Sequence, residues 1–327
     1  MQIDKLFMIR RNFFAILLFN LLLVLSAFGQ SYINDMKRDS ARSDKRTGGK
    51  IEKTAITEGD ENIKITINVP AFQMTLWQNG KEIKSYPIGV GMKDYPIFVG
   101  LREASSVEWN PVWIPPSSDW VDASSNVKAG EIVLPTDPRN PLGKVKIPLG
   151  YGYLLHQAKG AGDMGNLVSH GCVRVLQKDL YDLAENIIAA RALPVSPQEI
   201  AAAKKTKKTL ISLLEPIIPV EITYDTIVVE DGKLHVYPDV YDRKKNTIEN
   251  FRQELKSNQI DDSEITDAVI NKIISLASEK KQFVVSVASI KAGKELSGGQ
   301  TIPVLGTAPT AKPTKAKTKK RIGKRGN

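Results

Sequence analysis

An Asn-Gly pair at positions 79 and 80 stands between two apolar-rich runs, Phe72–Gln78 and Lys81–Gly91. Such a pair favours the two-residue type I′ turn, so the stretch predicts a β-hairpin. The residues before it agree: Ile63, Ile65, Ile67 and Val69 alternate with polar residues, the period of a half-buried strand. From there to residue 155 the chain holds only short apolar runs, Ile97–Val99, Val107–Trp109, Ile132–Leu134 and Tyr153–Leu155, separated by Pro- and Gly-rich turns. This punctuation predicts a mainly β domain, sandwich-like in architecture. A helical period first emerges at Lys178, where Leu180, Leu183, Ala184, Ile187 and Ile188 share one face before Pro194.

The next third changes character. Residues 197–214 read as helix and Val220–Val229 as a strand, and Asp231-Gly232 turns the chain into Leu234–Tyr237. Helical patterns follow at 247–256 and at Ser263–Lys281, the second with Ser263 as its N-cap, and Gln282–Ile290 reads as a last strand. These elements predict a small α+β C-terminal module. His235, alternating within a strand pattern, is read as structural.

The ends carry the charge. Residues 308–327 contain eight Lys or Arg and no acid, and the first 29 contain Lys5, Arg10 and Arg11 against Asp4. Together they account for the whole formal charge of +10, so the body between them is neutral. A body without basic residues interleaved with aromatics is not a nucleic-acid binder. The Lys/Pro/Ala/Thr tail cannot bury a core and is expected to stay disordered. Its functional reading is tethering to an anionic envelope polymer or membrane surface, its bland one a solubilising tail. At the other end, Phe13–Phe28 is an apolar run after basic residues, closed by Ala27-Phe28-Gly29. That is the pattern of a secretory signal peptide, with an uncleaved anchor as the alternative. The chain is therefore expected to be exported. The expected organisation is a signal at 1–29, a polar linker at 30–62, a catalytic domain at 63–195, the C-terminal module at 196–306 and the tail at 307–327.

The chemistry is concentrated in Tyr151–Val175, which holds the only cysteine and two of the three histidines. Exported cysteines normally pair, so a lone Cys172 is either buried and inert or a reactive thiol. Gly171 beside it permits backbone conformations closed to other residues, which suits amides aimed at a developing oxyanion. His156 ends an apolar run and precedes Cys172 by 16 residues, across a Gly-rich turn. An imidazole beside a thiol makes an acyl-transfer site that needs no cofactor and no metal. A zinc site from His156, His170, Cys172 and Asp163 is the disfavoured alternative, because no H-E-x-x-H or H-x-x-E-H pattern exists.

His156 followed by Ser169-His170-Gly171-Cys172-Val173-Arg174 resembles the active-site signature of the YkuD-type L,D-transpeptidase catalytic domain. The resemblance covers roughly residues 63–191 and includes Trp109–Pro116 and Asn140-Pro141-Leu142-Gly143. Gln157 departs from the glycine that many relatives carry after the histidine. The resemblance implies a peptidoglycan enzyme in the periplasm or cell envelope of a bacterium. Such an enzyme attacks the amide between the third and fourth residues of a tetrapeptide stem, releases D-alanine and passes the acyl group to an amine. It also implies Cys172 as nucleophile and His156 as proton acceptor, with His170 as the competing imidazole. Backbone amides of His170, Gly171 and Cys172 would surround the oxyanion. Arg174 would hold a substrate carboxylate or shape the site, and Ser169 would order the loop. Trp109, Trp113 and Trp120 are candidates for a substrate groove or for core. Two other functions remain open: a cysteine peptidase or carboxypeptidase hydrolysing wall peptides, and a non-catalytic wall-binding protein.

Overall fold

The computed structural model describes residues 62–305. The expected signal peptide, nearly all of the linker and the basic tail lie outside them. Strands β1 (Ile63–Asn68), β2 (Gln73–Gln78) and β3 (Lys81–Gly91) form the expected meander. Asn79 and Gly80 take φ of 52° and 72°, the pair of positive values that a type I′ turn requires.

Strands β4 (Gly100–Trp109), β5 (Val145–Pro148), β6 (Leu154–Gln157), β7 (Leu167–Ser169), β8 (Val173–Val175) and β9 (Leu210–Thr223) complete one sheet. Its order is β2-β1-β9-β4-β5-β6-β8-β3-β7, and the β2–β3 pairing brings it back on itself. The mainly β expectation therefore holds, with the sandwich closed into a barrel-like ring. Ile97–Val99 lies outside any strand, and Ile132–Leu134 contributes only the single Trp113–Val133 bridge. Helix α1 (Gln177–Ala190) packs against β5 and β6. It buries Leu180, Leu183, Ala184, Ile187 and Ile188, the five residues its period singled out.

The helix expected over 197–214 is short. Helix α2 (Pro197–Lys205) starts from a Ser196–Glu199 capping box and ends at Lys205. Beyond it Ile211, Ile217, Ile218, Val220 and Ile222 favour extended backbone, while Pro216 and Pro219 cannot continue a helix. These residues form β9, which runs parallel to β1 and antiparallel to β4. The strand expected at Val220–Val229 is thus divided between two sheets, and the 195/196 boundary cuts through the first one.

The second sheet is β10 (Ile227–Glu230), β11 (Lys233–Val236), β12 (Lys281–Ser286) and β13 (Gly299–Pro303), paired in that order. Helices α3 (Ile248–Ser257) and α4 (Asp267–Leu276) share a separate core with it, around Leu234, Val236, Phe251, Leu255, Ile270 and Phe283. Thr266, not Ser263, caps α4, because its hydroxyl accepts from the Val269 amide. The run expected as one last strand, Gln282–Ile290, breaks at Ser286. That hydroxyl caps a short helix, Val287–Lys291, before β13 closes the sheet. His235 lies in β11 with Nδ1 2.9 Å from Gln282 Oε1, a structural contact. Among the described residues no helix is long and apolar enough to cross a membrane.

Candidate active site

Parallel pairing of β6 with β8 sets the site. Leu155 is opposite Val173 and His156 opposite Arg174, so their side chains project from the same face. Cys172, one residue before β8, lies beside Leu154, whose backbone amide donates to the thiol sulfur. The single cysteine and His156 therefore lie on the same face of two neighbouring strands, offset by two residues in register, after a chain reversal over 158–171.

Gly171 and Cys172 lie between β7 and β8, outside both ladders. Gly171 has φ +105°, and a Cβ there would come within 2.9 Å of Tyr153 Cε1, so the turn requires glycine both in conformation and in space. Ser169 is buried, and its hydroxyl donates to the Cys172 carbonyl, which fixes the turn from below. His170 makes other contacts. It is exposed, stacked on Trp120 at 4.5 Å between centroids and edge-on to Tyr95 at 4.7 Å.

His156 is buried, 3% exposed. Its Nδ1 is 3.3 Å from the Arg174 guanidinium, and the carbonyls of Pro141 and Leu142 also reach the ring. A guanidinium only donates, so Nδ1 is the acceptor and the proton of the neutral ring sits on Nε2. Burial, and then the charge of Arg174, hold this imidazole well below its usual 6.5. Burial also pushes the Cys172 thiol up, against smaller lowering effects of the Leu154 amide and Arg174. Both shifts favour the uncharged forms, a thiol and a neutral imidazole, over a thiolate and an imidazolium.

Arg174 belongs to a buried polar row. Across β4, β5, β6 and β8 the register places Glu108 opposite Lys146, Lys146 opposite His156, and His156 opposite Arg174. All four are buried, and Lys146 Nζ is 3.0 Å from Glu108 Oε2. Sequence reasoning missed Glu108 and Lys146, each a single charge inside an apolar run that resembles any solvent-facing strand position. It also missed Arg102, 8% exposed on β4, whose guanidinium lies over the rings of Tyr151 and Tyr153. No carboxylate is bonded to Arg102 among the described residues.

Gln157, the departure from glycine, turns away from the thiol. Its Oε1 accepts from the Lys144 amide, and its side chain fills the space that a Cβ at Gly143 would occupy. The Asn140–Gly143 stretch is in turn tied down by the Asn140 side chain, which bonds the carbonyls of Pro111 and Val133 and the Leu142 amide. The tryptophans divide. Trp109 is core, whereas Trp113 stacks on Trp120 at 6.4 Å within a small cluster of the 110–143 excursion beside His170.

Residues 62–209 match the model of the YkuD family, the L,D-transpeptidase catalytic domain. This segment is similar to the YkuD-type domain. The match stops one residue before β9, which nevertheless lies between β1 and β4 in the sheet. The Salmonella typhimurium protein named probable L,D-transpeptidase ErfK/SrfK is 26% identical over 125 residues, covering 38% of this chain and 40% of its own. The Escherichia coli K12 protein named probable L,D-transpeptidase YcfS is 26% identical over 162 residues, 47% of this chain and 50% of its own. The chain thus spans half or less of the length of these relatives. A solved catalytic domain of the Enterococcus faecium L,D-transpeptidase is 15% identical, with a TM-score of 0.32, over 50% of this chain and 98% of that one.

Proposed function

We propose that this protein is an exported peptidoglycan L,D-transpeptidase whose acyl-enzyme forms on Cys172. The observation that carries the reading is Cys172 beside Leu154 on the face that also bears His156, within a segment similar to the YkuD-type domain. In the proposed reaction, Sγ attacks the carbonyl of the third stem residue while His156 takes the thiol proton at Nδ1, the nitrogen that Arg174 then gives up. The new oxyanion lies against the amides of the Gly171–Cys172 turn. As the C–N bond breaks, His156 returns the proton to the departing D-alanine amine, leaving a thioester. An acceptor amine then attacks the thioester, loses its proton through the same imidazole, and releases the thiol. Arg174 and Arg102 make this end of the sheet cationic, which suits a donor peptide carrying free carboxylates. The signal-like start is consistent with export, and the basic tail with an anionic envelope surface.

Intact-mass analysis after incubation with a tetrapeptide donor tests the reading. One adduct of tripeptide mass on the protein, and a cross-linked product when an amine is added, are expected. An adduct resolved only to free tripeptide would make the enzyme a hydrolase instead, and no adduct at all would remove the acyl-enzyme.

The pH dependence follows from the neutral pair. Catalysis needs His156 unprotonated, and its affinity for protons is depressed, so activity is lost on acidification only below pH 6.5. The acid limb of kcat/KM is expected below 6.5 in the wild type. In Arg174→Met it should move upward, because the second-largest cause of the depression is gone. An acid limb above 6.5 in the wild type contradicts the buried neutral imidazole.

A further inference from the structure

The C-terminal module touches the catalytic domain at a revealing place. Residues 238–246 form a loop organised by Asp239, whose carboxylate accepts from the Tyr224 hydroxyl at 2.6 Å and from the amides of Arg243 and Lys245 at 2.9 and 2.8 Å. Tyr224 and Tyr241 stack at 5.6 Å between centroids, and the Arg243 guanidinium covers both rings. This rigid support aims the Tyr241 hydroxyl across to the first domain. There it donates to the Gly91 carbonyl at 2.8 Å and accepts from the Ile97 amide at 3.4 Å. One phenol thus joins both ends of the Gly91–Ile97 loop, and Asp242 pairs with Lys93 inside that loop.

The loop so held is the backing of the nucleophile turn, with three contacts. The Met92 amide donates to the Ser169 carbonyl at 2.8 Å. The Tyr95 ring meets His170 edge-on. Gly91 approaches so closely that a Cβ on it would lie 3.0 Å from Gly171 Cα. A second contact of the same module reinforces the pattern: Leu305 packs on Gly165, just before β7.

We propose that the C-terminal module is a working part of the active site and that Tyr241 is its positioning residue, clamping the Gly91–Ile97 loop against the Ser169–Cys172 turn. The effect on catalysis rests on the transpeptidase reading above; the clamp itself does not. Misplacing a nucleophile by a fraction of an ångström costs rate rather than binding, so the clamp acts on kcat.

The test is Tyr241→Phe in the full chain, which keeps the ring stack and removes only the hydroxyl. Hydrogen exchange of the Met92–Ile97 and Ser169–Val173 amides is expected to quicken about tenfold, as for loss of two hydrogen bonds, with β11 and β12 unchanged. D-alanine release from a tetrapeptide donor should fall about tenfold in kcat, with KM within about twofold. Lys93→Glu, in the first domain, sets like charges against Asp242 and should loosen the same two segments, with Asp242→Lys restoring them. This second variant decides the matter if Tyr241→Phe unfolds the module. Unchanged exchange in both variants overturns the clamp, and so does quickened exchange in them with wild-type kcat. A wild type that releases no D-alanine sinks the transpeptidase reading alone, and exchange still judges the clamp.

Discussion

Cys172→Ala is expected to form no covalent adduct with a tetrapeptide donor and to release D-alanine at least about 10³-fold more slowly than the wild type. No other thiol exists in the chain to substitute for it. The companion variants separate the two imidazoles. His156→Gln should cost about 10²–10⁴-fold, the range for a lost general acid–base group. His156 is buried on the thiol face of β6, and its neutral form is held ready by burial and Arg174. His170→Gln should cost less than about tenfold by the same scale. That ring is exposed and engaged with Trp120 and Tyr95, so its removal loosens an aromatic stack. Steady-state release of D-alanine at pH 7 ranks the three variants. A His170 variant more damaged than the His156 variant would reassign the base, and a Cys172→Ala protein with wild-type turnover would end the covalent mechanism.

Glu108→Ala is expected to destabilise the first domain by about 3–5 kcal/mol, the scale for removing one partner of a buried ion pair. Lys146 is 1% exposed and Glu108 2%, so water cannot solvate the ammonium once its carboxylate is gone. The Ser106 hydroxyl, 3.2 Å from Glu108 Oε1, loses its acceptor as well. Lys146 also faces His156 across the ladder, so loss of the Glu108 carboxylate should press that imidazole still further from protonation. The double variant Glu108→Leu with Lys146→Met should recover most of the loss, because it removes both buried charges together. Urea unfolding of the three proteins measures this. A loss below about 1 kcal/mol for Glu108→Ala would place the pair in an environment far more hydrated than its burial indicates.

Local patterns settle early in the chain. The Asn79-Gly80 hairpin, the buried face of α1 and the thiol–imidazole motif are properties of neighbouring residues, because turn chemistry and side-chain periodicity act within a few positions. Short-range rules misjudged the segments where distant partners decide. The span 197–214 begins with a true capping box, and propensity alone carries the helix too far. It is the two open edges of β1 and β4 that draw Leu210–Thr223 into the ring. Ser263 and Thr266 are both plausible caps three residues apart, and the packing of Ile270 and Ile273 selects the second.

By itself the sequence determined that Cys172 is the only possible thiol nucleophile, that Gly171 frees the backbone beside it, and that a mainly β body carries both. Tertiary structure alone decided what surrounds that thiol. A one-residue register in the β6–β8 ladder places His156 against Arg174, and the same ladder extends to the Lys146–Glu108 pair. Tyr241 reaches Gly91 from 150 residues away. Such contacts join residues that no spacing rule relates, because strand pairing and module docking are set by the packing of whole surfaces rather than by any local stretch of chain.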